Sequence, residues 1–358
     1  MINGILKKQG VKPLYETLYE ELKKDIISGK RALGDKLPSK RALAERIGVS
    51  VITVDAAYGL LIDEGYVYSK ERSGFFVGGT TGERVDKSRA IAESLPKSGT
   101  AEVDFRFSSL SKIMRKVITE YDRALLVKPP AFGCEELRRA ICGYLYRYRG
   151  MEVNYENIII GSGSEYFYGM IVALLGRDRV YGLEYPSYEK ISKVIETSGA
   201  RCEFLKMGDN GILGEELKNS KATVLHITPF NSYPTGITAD YLKRLEYIAW
   251  AKSRNGYIVE DDIDSEFAVG AKPVETVYSL SGGERVIYLN TFSRSIAPSI
   301  RMGYMVLPDG LLKEYKNKLG FYSCTVPAFD QYVMAEFIDG GLFERHLNRI
   351  RRKLKEQN

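Results

Sequence analysis

At 358 residues the chain is longer than one typical core requires, which predicts two domains. Its 44% hydrophobic and 27% charged content is ordinary for a globular protein, and no apolar run reaches the roughly 18 residues that a membrane span needs. The formal charge of +6 permits a nucleic-acid partner without demanding one.

Met1 to Val11 lack the long apolar segment of a secretory signal, so a cytoplasmic location is expected. Cys134, Cys142, Cys202 and Cys324 lie far apart with no C-x-x-C spacing and read as reduced, structural thiols. With only His226 and His346 present, neither a zinc site nor a histidine-based triad is expected.

In the first part of the chain Leu14, Leu18, Leu22 and Ile26 recur at helical spacing, and Gly29 closes that helix. A second helix begins after Leu37-Pro38-Ser39, with Ser39 as its cap and Leu43 and Ile47 facing inward. Gly48-Val49-Ser50 turns into a third helix, Val51 to Glu64, whose buried side carries Val54, Ala57, Tyr58 and Leu61. Gly65 to Tyr68 and Gly74 to Val77 are β runs around the polar tip Ser69 to Ser73. This order predicts a winged helix-turn-helix over residues 1–77.

The wording Leu37-Pro38-Ser39-x-Arg41-x-Leu43-Ala44, Gly48-Val49-Ser50, Thr53-Val54 and Glu64-Gly65-Tyr66 resembles the GntR family of bacterial repressors. The resemblance implies a double-stranded DNA operator read by the helix that starts at Ser50. Ser39, Arg41, Ser50 and Thr53 match phosphate- or base-contacting positions, and Lys40, Lys70 and Arg72 add positive charge. Thirteen basic against ten acidic side chains through Thr80 predict modest, salt-sensitive affinity. Val51 and Ile52 stand where polar residues are frequent, which predicts apolar contact with thymine methyls or weak specificity.

Residues 78–103, with Gly78-Gly79-Thr80-Thr81-Gly82 and Pro96-Lys97-Ser98-Gly99, read as a linker. In residues 104–358, short apolar runs (Ile158-Ile160, Val180-Leu183, Val224-Ile227, Tyr257-Val259, Val286-Leu289) alternate with amphipathic helical segments. Buried parallel strands read this way, so an α/β layered domain is expected.

Four loops of this domain carry chemistry. Gly161-Ser162-Gly163-Ser164-Glu165-Tyr166 joins a strand to a helix and offers amides to a phosphate, although a plain connecting turn would look the same. Thr228-Pro229 to Pro234-Thr235-Gly236 follows another strand and contains Asn231 and Tyr233. Val259 to Phe267 is an acidic segment at a strand end. Asn290 to Met305 reads Asn-Thr-Phe-Ser-Arg-Ser-Ile-Ala-Pro-Ser-Ile-Arg-Met-Gly-Tyr-Met.

In order and spacing these segments resemble the fold-type I, pyridoxal 5'-phosphate (PLP)-dependent aminotransferases. The resemblance implies a phosphate cup from Gly163, Ser164, Ser293 and Arg301, Ser295 as a further cofactor-binding residue, and a ring-stacking Tyr188. It assigns the ring hydroxyl to the Asn231 turn and the pyridine nitrogen to Asp261, whose carboxylate would keep that nitrogen protonated. A lysine normally follows Ser293 and bonds the cofactor aldehyde; here the residue is Arg294, a permanently charged group that is no amine nucleophile. Ile263 replaces a usual tyrosine.

A GntR winged helix joined to such a domain is similar to the MocR subfamily of regulators. The resemblance implies a homodimer that senses PLP and an amino compound. Three departures stand out: Arg294, a connection near Asp104-Leu110 that looks short, and a chain that stops after the basic helix Glu344 to Asn358, before the small subdomain expected to hold the substrate-carboxylate arginine. The sequence therefore predicts a metal-free regulator with an impaired second domain that binds PLP weakly and non-covalently or serves dimerisation alone. The competing expectations are an active aminotransferase with an appended DNA-binding domain, and a pseudo-regulator that neither binds cofactor nor folds fully.

Overall fold

The computed structural model describes residues 13–78, 107–268 and 275–357. Compactness divides the chain into Met1–Arg115 and Lys116–Asn358. Of the expected linker only Gly78 is among the described residues, and Asp104 to Arg106 of the short connection lie outside them.

The first unit contains α1 (Leu14–Ile27), β1 (Lys36–Leu37), α2 (Lys40–Ile47), α3 (Val51–Asp63), β2 (Val67–Lys70) and β3 (Gly74–Val77). Leu18, Leu22 and Ile26 of α1 pack with Leu43 and Ile47 of α2 and with Val54, Tyr58 and Leu61 of α3 in one cluster. Both later helices start as their sequences imply: Ser39 accepts from the Ala42 amide at 3.2 Å, and Ser50 from the Thr53 amide at 3.1 Å. Gly48 ends α2 at φ 71°, a left-handed conformation that costs a glycine little. The hairpin's first strand starts two residues later than expected. β1 is an addition: it pairs antiparallel with β3, Lys36 opposite Phe76, to give a sheet of order β1-β3-β2. Two residues after a turn carry no periodicity that sequence reasoning can detect.

The second unit is built on an eight-stranded sheet, β4 (Ile158–Gly161), β5 (Val180–Tyr185), β6 (Arg201–Gly208), β7 (Gly211–Ile212), β8 (Val224–Ile227), β9 (Tyr257–Asp261), β10 (Val286–Thr291) and β11 (Gly303–Val306). Its order is β4-β11-β10-β9-β8-β5-β6-β7. The flanking helices include α4 (Glu135–Arg149), α5 (Ser164–Leu175), α6 (Glu189–Thr197), α7 (Tyr241–Ser253), α8 (Asp309–Leu319), α9 (Ala328–Asp339) and α10 (Leu342–Gln357). Phe167 and Ile171 of α5, Ile191 and Ile195 of α6 and Leu311 and Tyr315 of α8 share one core with Ile159, Leu183, Val224, Val259, Ile287 and Met305 of the sheet. Helices cover both faces, which is why the central strands are buried and begin as apolar runs, with polar residues such as Glu184, Asp261 and Thr291 at their carboxyl ends.

The expectation of parallel strands needs correction. β5, β6, β8, β9 and β10 pair in parallel, but β11 runs antiparallel to both β10 and β4. β6, β7 and β11 have no counterpart in the sequence reading. β6 lies towards the edge and exposes Arg201, Phe204 and Lys206, so it shows no continuous apolar run. No helix among the described residues is long and apolar enough to cross a membrane.

Candidate functional site

The carboxyl ends of β4, β5, β8, β9 and β10 open on one cavity of about 520 Å³, where open α/β sheets place ligands. Gly163, Ser164, Tyr188, Asn231, Asp261, Ser293, Arg294 and Arg301 all line it. Ser295 does not: it is 1% exposed and lies inside the core.

One wall is made for an anion. Gly163 has φ 108° and precedes α5, so the helix N-terminus faces the cavity through Ser164. A Cβ at Gly163 would lie 3.2 Å from Arg301 Nη2, which shows how closely the guanidinium approaches this backbone. Ser293 donates to the Ile300 carbonyl at 2.9 Å, bracing the loop that presents Arg301. Among the described residues the Arg301 guanidinium has neither a hydrogen bond nor an ion pair, whereas the other lining cations, Lys190 and Arg294, pair with Glu165 and Asp264.

A second wall centres on Asp261, 4% exposed at the end of β9. The Tyr168 hydroxyl donates to its Oδ2, and His226 Nε2 lies 3.8 Å from the same oxygen. Burial, then the Asp261 charge, hold the Tyr168 phenol well above its ordinary range, so it stays a donor. Oδ1 of Asp261 is buried without a hydrogen-bond partner. A buried carboxylate oxygen left open in a cavity wall fits a protonated ring nitrogen, since an unmet buried acceptor is costly. Tyr188 is half-exposed at the rim, edge-on to Tyr233 at 6.3 Å. An acceptor for a ring nitrogen, an unpaired arginine beside a helix N-terminus to donate to a phosphate and a rim aromatic suit the groups that PLP presents.

Asn231, at φ 51°, turns its amide elsewhere: Nδ2 donates to Asp264 Oδ2 at 2.9 Å. Asp264 also holds Arg294, whose Nη2 is 2.8 Å from Oδ1. Arg294 is half-exposed and its guanidinium lies 5.9 Å from the Phe267 ring centroid. Lys190 is the only lysine among the lining residues; its hydrogen bond to Glu165 raises its pKa and holds it charged, a poor state for a nucleophile. Sequence reasoning missed Tyr168, His226, Asp264 and Lys190. Asp264 alone had a signal, as a member of the acidic segment.

Behind Asp261 a buried polar group fixes the end of β9. Arg149 Nη2 is 2.5 Å from Asp262 Oδ2, which also accepts from Tyr288 at 2.7 Å. Glu266 accepts from Asn290 at 2.7 Å, and Glu260 from the amides of Val277 and Tyr278. Burial, then the Asp262 charge, raise the Glu260 carboxyl and push Glu266 from 4.5 up to about 8. The folded state thus binds protons that the unfolded chain has released above about 4.5, so stability falls as pH rises towards about 8. The second unit is expected to melt at a lower temperature near the upper end of that window than near pH 5, as followed by calorimetry.

The candidate DNA interface lies in the first unit. Ile52 is 80% exposed and Val51 is exposed beside it on the first turn of α3. Arg41, Lys70 and Arg72 are exposed, Arg72 at φ 58° on the hairpin tip. Ser39 and Ser50 spend their hydroxyls on caps, and Ser50 Oγ is 2.8 Å from Thr53 Oγ1. Lys40 is less available than its sequence implies: it pairs with Asp55 and lies 5.0 Å from the Phe75 ring centroid. Lys36, brought to the wing by β1, is a cation that sequence reasoning overlooked.

A winged helix-turn-helix and a fold-type I aminotransferase-like domain define a two-domain regulator class. Residues 14–77 match the family of bacterial regulatory proteins, gntR family, and residues 101–358 match aminotransferase class I and II. The HTH-type transcriptional regulator YdeL of Bacillus subtilis (strain 168) is 32% identical over 96% of this chain and 77% of its own. The probable rhizopine catabolism regulatory protein MocR of Rhizobium meliloti is 27% identical over 99% of this chain and 77% of its own. In fold, the kynurenine aminotransferase of Pyrococcus horikoshii superposes with TM-score 0.65 and 25% identity, covering 76% of this chain and 70% of that one. The chain belongs to the MocR subfamily of GntR-type transcriptional regulators. It is a DNA-binding regulator, a reading that these relatives support over that of an aminotransferase with an appended DNA-binding domain.

Proposed function

We propose that this regulator couples operator binding by α2, α3 and the wing to reversible, non-covalent occupancy of the cavity by PLP, without transaminase turnover. The observation that carries it is Arg294: the cavity offers an open anion wall and an open acceptor at Asp261, but the residue at the usual lysine position has no amine to attack an aldehyde. When bound, the pyridine ring supplies an electron sink. Arg301, Gly163, Ser164 and Ser293 form the phosphate cup, Asp261 meets the ring nitrogen with Tyr168 and His226 behind it, and Tyr188 flanks the ring. Binding is weak, since no covalent bond adds to it. An amino compound acts as effector through the same cavity, the working form is a cytoplasmic homodimer, and no metal ion takes part.

Calorimetric titration of the full chain with PLP tests the reading: binding that is lost with Arg301→Ala and with Asp261→Ala supports it, and absence of binding to the unaltered chain sinks it. For DNA, Arg41→Ala is expected to weaken binding to the native promoter about tenfold at moderate salt and to flatten the salt dependence by about one unit of slope. Fluorescence anisotropy that shows no change would remove Arg41 from the interface. Ile52→Ser should cost affinity for promoter DNA far more than for random DNA, because an apolar side chain reads bases rather than phosphates.

A further inference from the structure

The cavity presents two arginines in different electrical states. Arg301 is unpaired among the described residues, which suits a phosphate. Arg294 is already partnered, yet incompletely: only Nη2 reaches Asp264, at 2.8 and 3.0 Å from its two oxygens, and Nε and Nη1 have no bond among the described residues. A guanidinium carries five N–H donors, so most of its capacity remains open. Its position is set by Asp264, itself tied to Asn231, and by the Phe267 ring, so the open donors are presented from a braced side chain.

We infer that Arg294 is a specificity-determining residue that selects ligands carrying a carboxylate in addition to a phosphate, the two acids dividing between Arg294 and Arg301. This rests on the reading of the cavity as a site for phosphorylated pyridines. A planar guanidinium matches a carboxylate, gains nothing from a neutral aldehyde and repels an ammonium. Asp264 tempers the selection: its charge repels the ligand acid and claims part of the same guanidinium. Asn231 holds Asp264 in that role. The other lining side chains do not compete for the acid, because Lys190 is taken by Glu165 and Asp261 is an acceptor that already receives the Tyr168 hydroxyl.

Three probes share ring and phosphate and differ in one substituent: 4-pyridoxic acid 5'-phosphate (carboxylate), PLP (aldehyde) and pyridoxamine 5'-phosphate (ammonium). Calorimetric titration of the full chain is expected to rank them acid, aldehyde, amine, with roughly tenfold between acid and amine, a step typical of one charge-assisted contact at a half-exposed site. Arg294→Gln should abolish the ranking while phosphate-dependent binding persists. Asp264→Asn, which keeps the Asn231 contact sterically possible, should tighten the acid selectively. Equal affinities for all three probes in the unaltered chain would overturn the assignment of Arg294 and leave the cavity reading intact. Failure of every probe to bind would overturn both. A ranking that survives Arg294→Gln would assign the selectivity to another residue and likewise overturn the inference.

Discussion

Replacing Arg294 with lysine is expected to convert reversible binding of PLP into covalent attachment. The variant should acquire a visible absorption band and a borohydride-trappable adduct at residue 294, neither of which is expected from the unaltered chain. The reason is the amine: a lysine exchanges between charged and neutral forms and attacks an aldehyde, whereas a guanidinium remains protonated. Asp264 will oppose the change, because a carboxylate within ion-pair reach keeps an ammonium charged. Arg294→Lys combined with Asp264→Asn should therefore form the adduct faster at neutral pH than Arg294→Lys alone. A borohydride adduct at Lys190 of the unaltered chain would show a substitute amine and overturn the non-covalent reading. The unaltered chain should also show no transamination, since loss of a positioned proton-transferring base alone costs roughly 10²–10⁴-fold.

Arg149→Met is expected to destabilise the second unit by about 3–5 kcal/mol, measured as a lower urea midpoint with little change in slope. Arg149 and Asp262 are 5% and 3% exposed, so removing the cation strands a buried carboxylate. Tyr288 still donates to Asp262, but a single hydroxyl does not replace a charge. Substituting both partners, Arg149→Met with Asp262→Leu, should recover much of the loss, because two apolar side chains leave no uncompensated charge. A loss below about 1 kcal/mol for the single change would mean that the Asp262 carboxylate finds water or another partner once the guanidinium is gone. Ligand binding should weaken with Arg149→Met as well, since Asp262 adjoins Asp261 and its amide donates to the Leu289 carbonyl at 3.0 Å, locking the end of β9 beside β10.

How much of this was legible beforehand depends on the range of the interactions. α1, α2 and α3 followed from apolar spacing and from caps within three residues, as with Ser39 and Ser50. β5, β8, β9 and β10 were legible because both faces are covered and each contains a short, mostly apolar run. β6 escaped because an exposed strand alternates, and β11 because four residues after a loop give no period. The cavity residues Gly163, Asp261, Ser293, Arg294 and Arg301 were found from motif wording, and all of them line it. Ser295 was not separable from Ser293 by wording, since a short helix over Phe292–Ser295 turns one serine to the loop and the other inward.

The sequence by itself determined the two domain types, their order and the absence of a lysine at residue 294, because these are written in local patterns and in residue identity. Only the tertiary structure decided which charges are satisfied. Arg294 and Asp264 stand thirty positions apart and Arg149 and Asp262 more than a hundred, yet each pair meets at hydrogen-bond distance, while Arg301 remains open among the described residues. Coulombic and hydrogen-bond energies depend on separation in space and on burial, and neither is encoded in the spacing of residues along the chain.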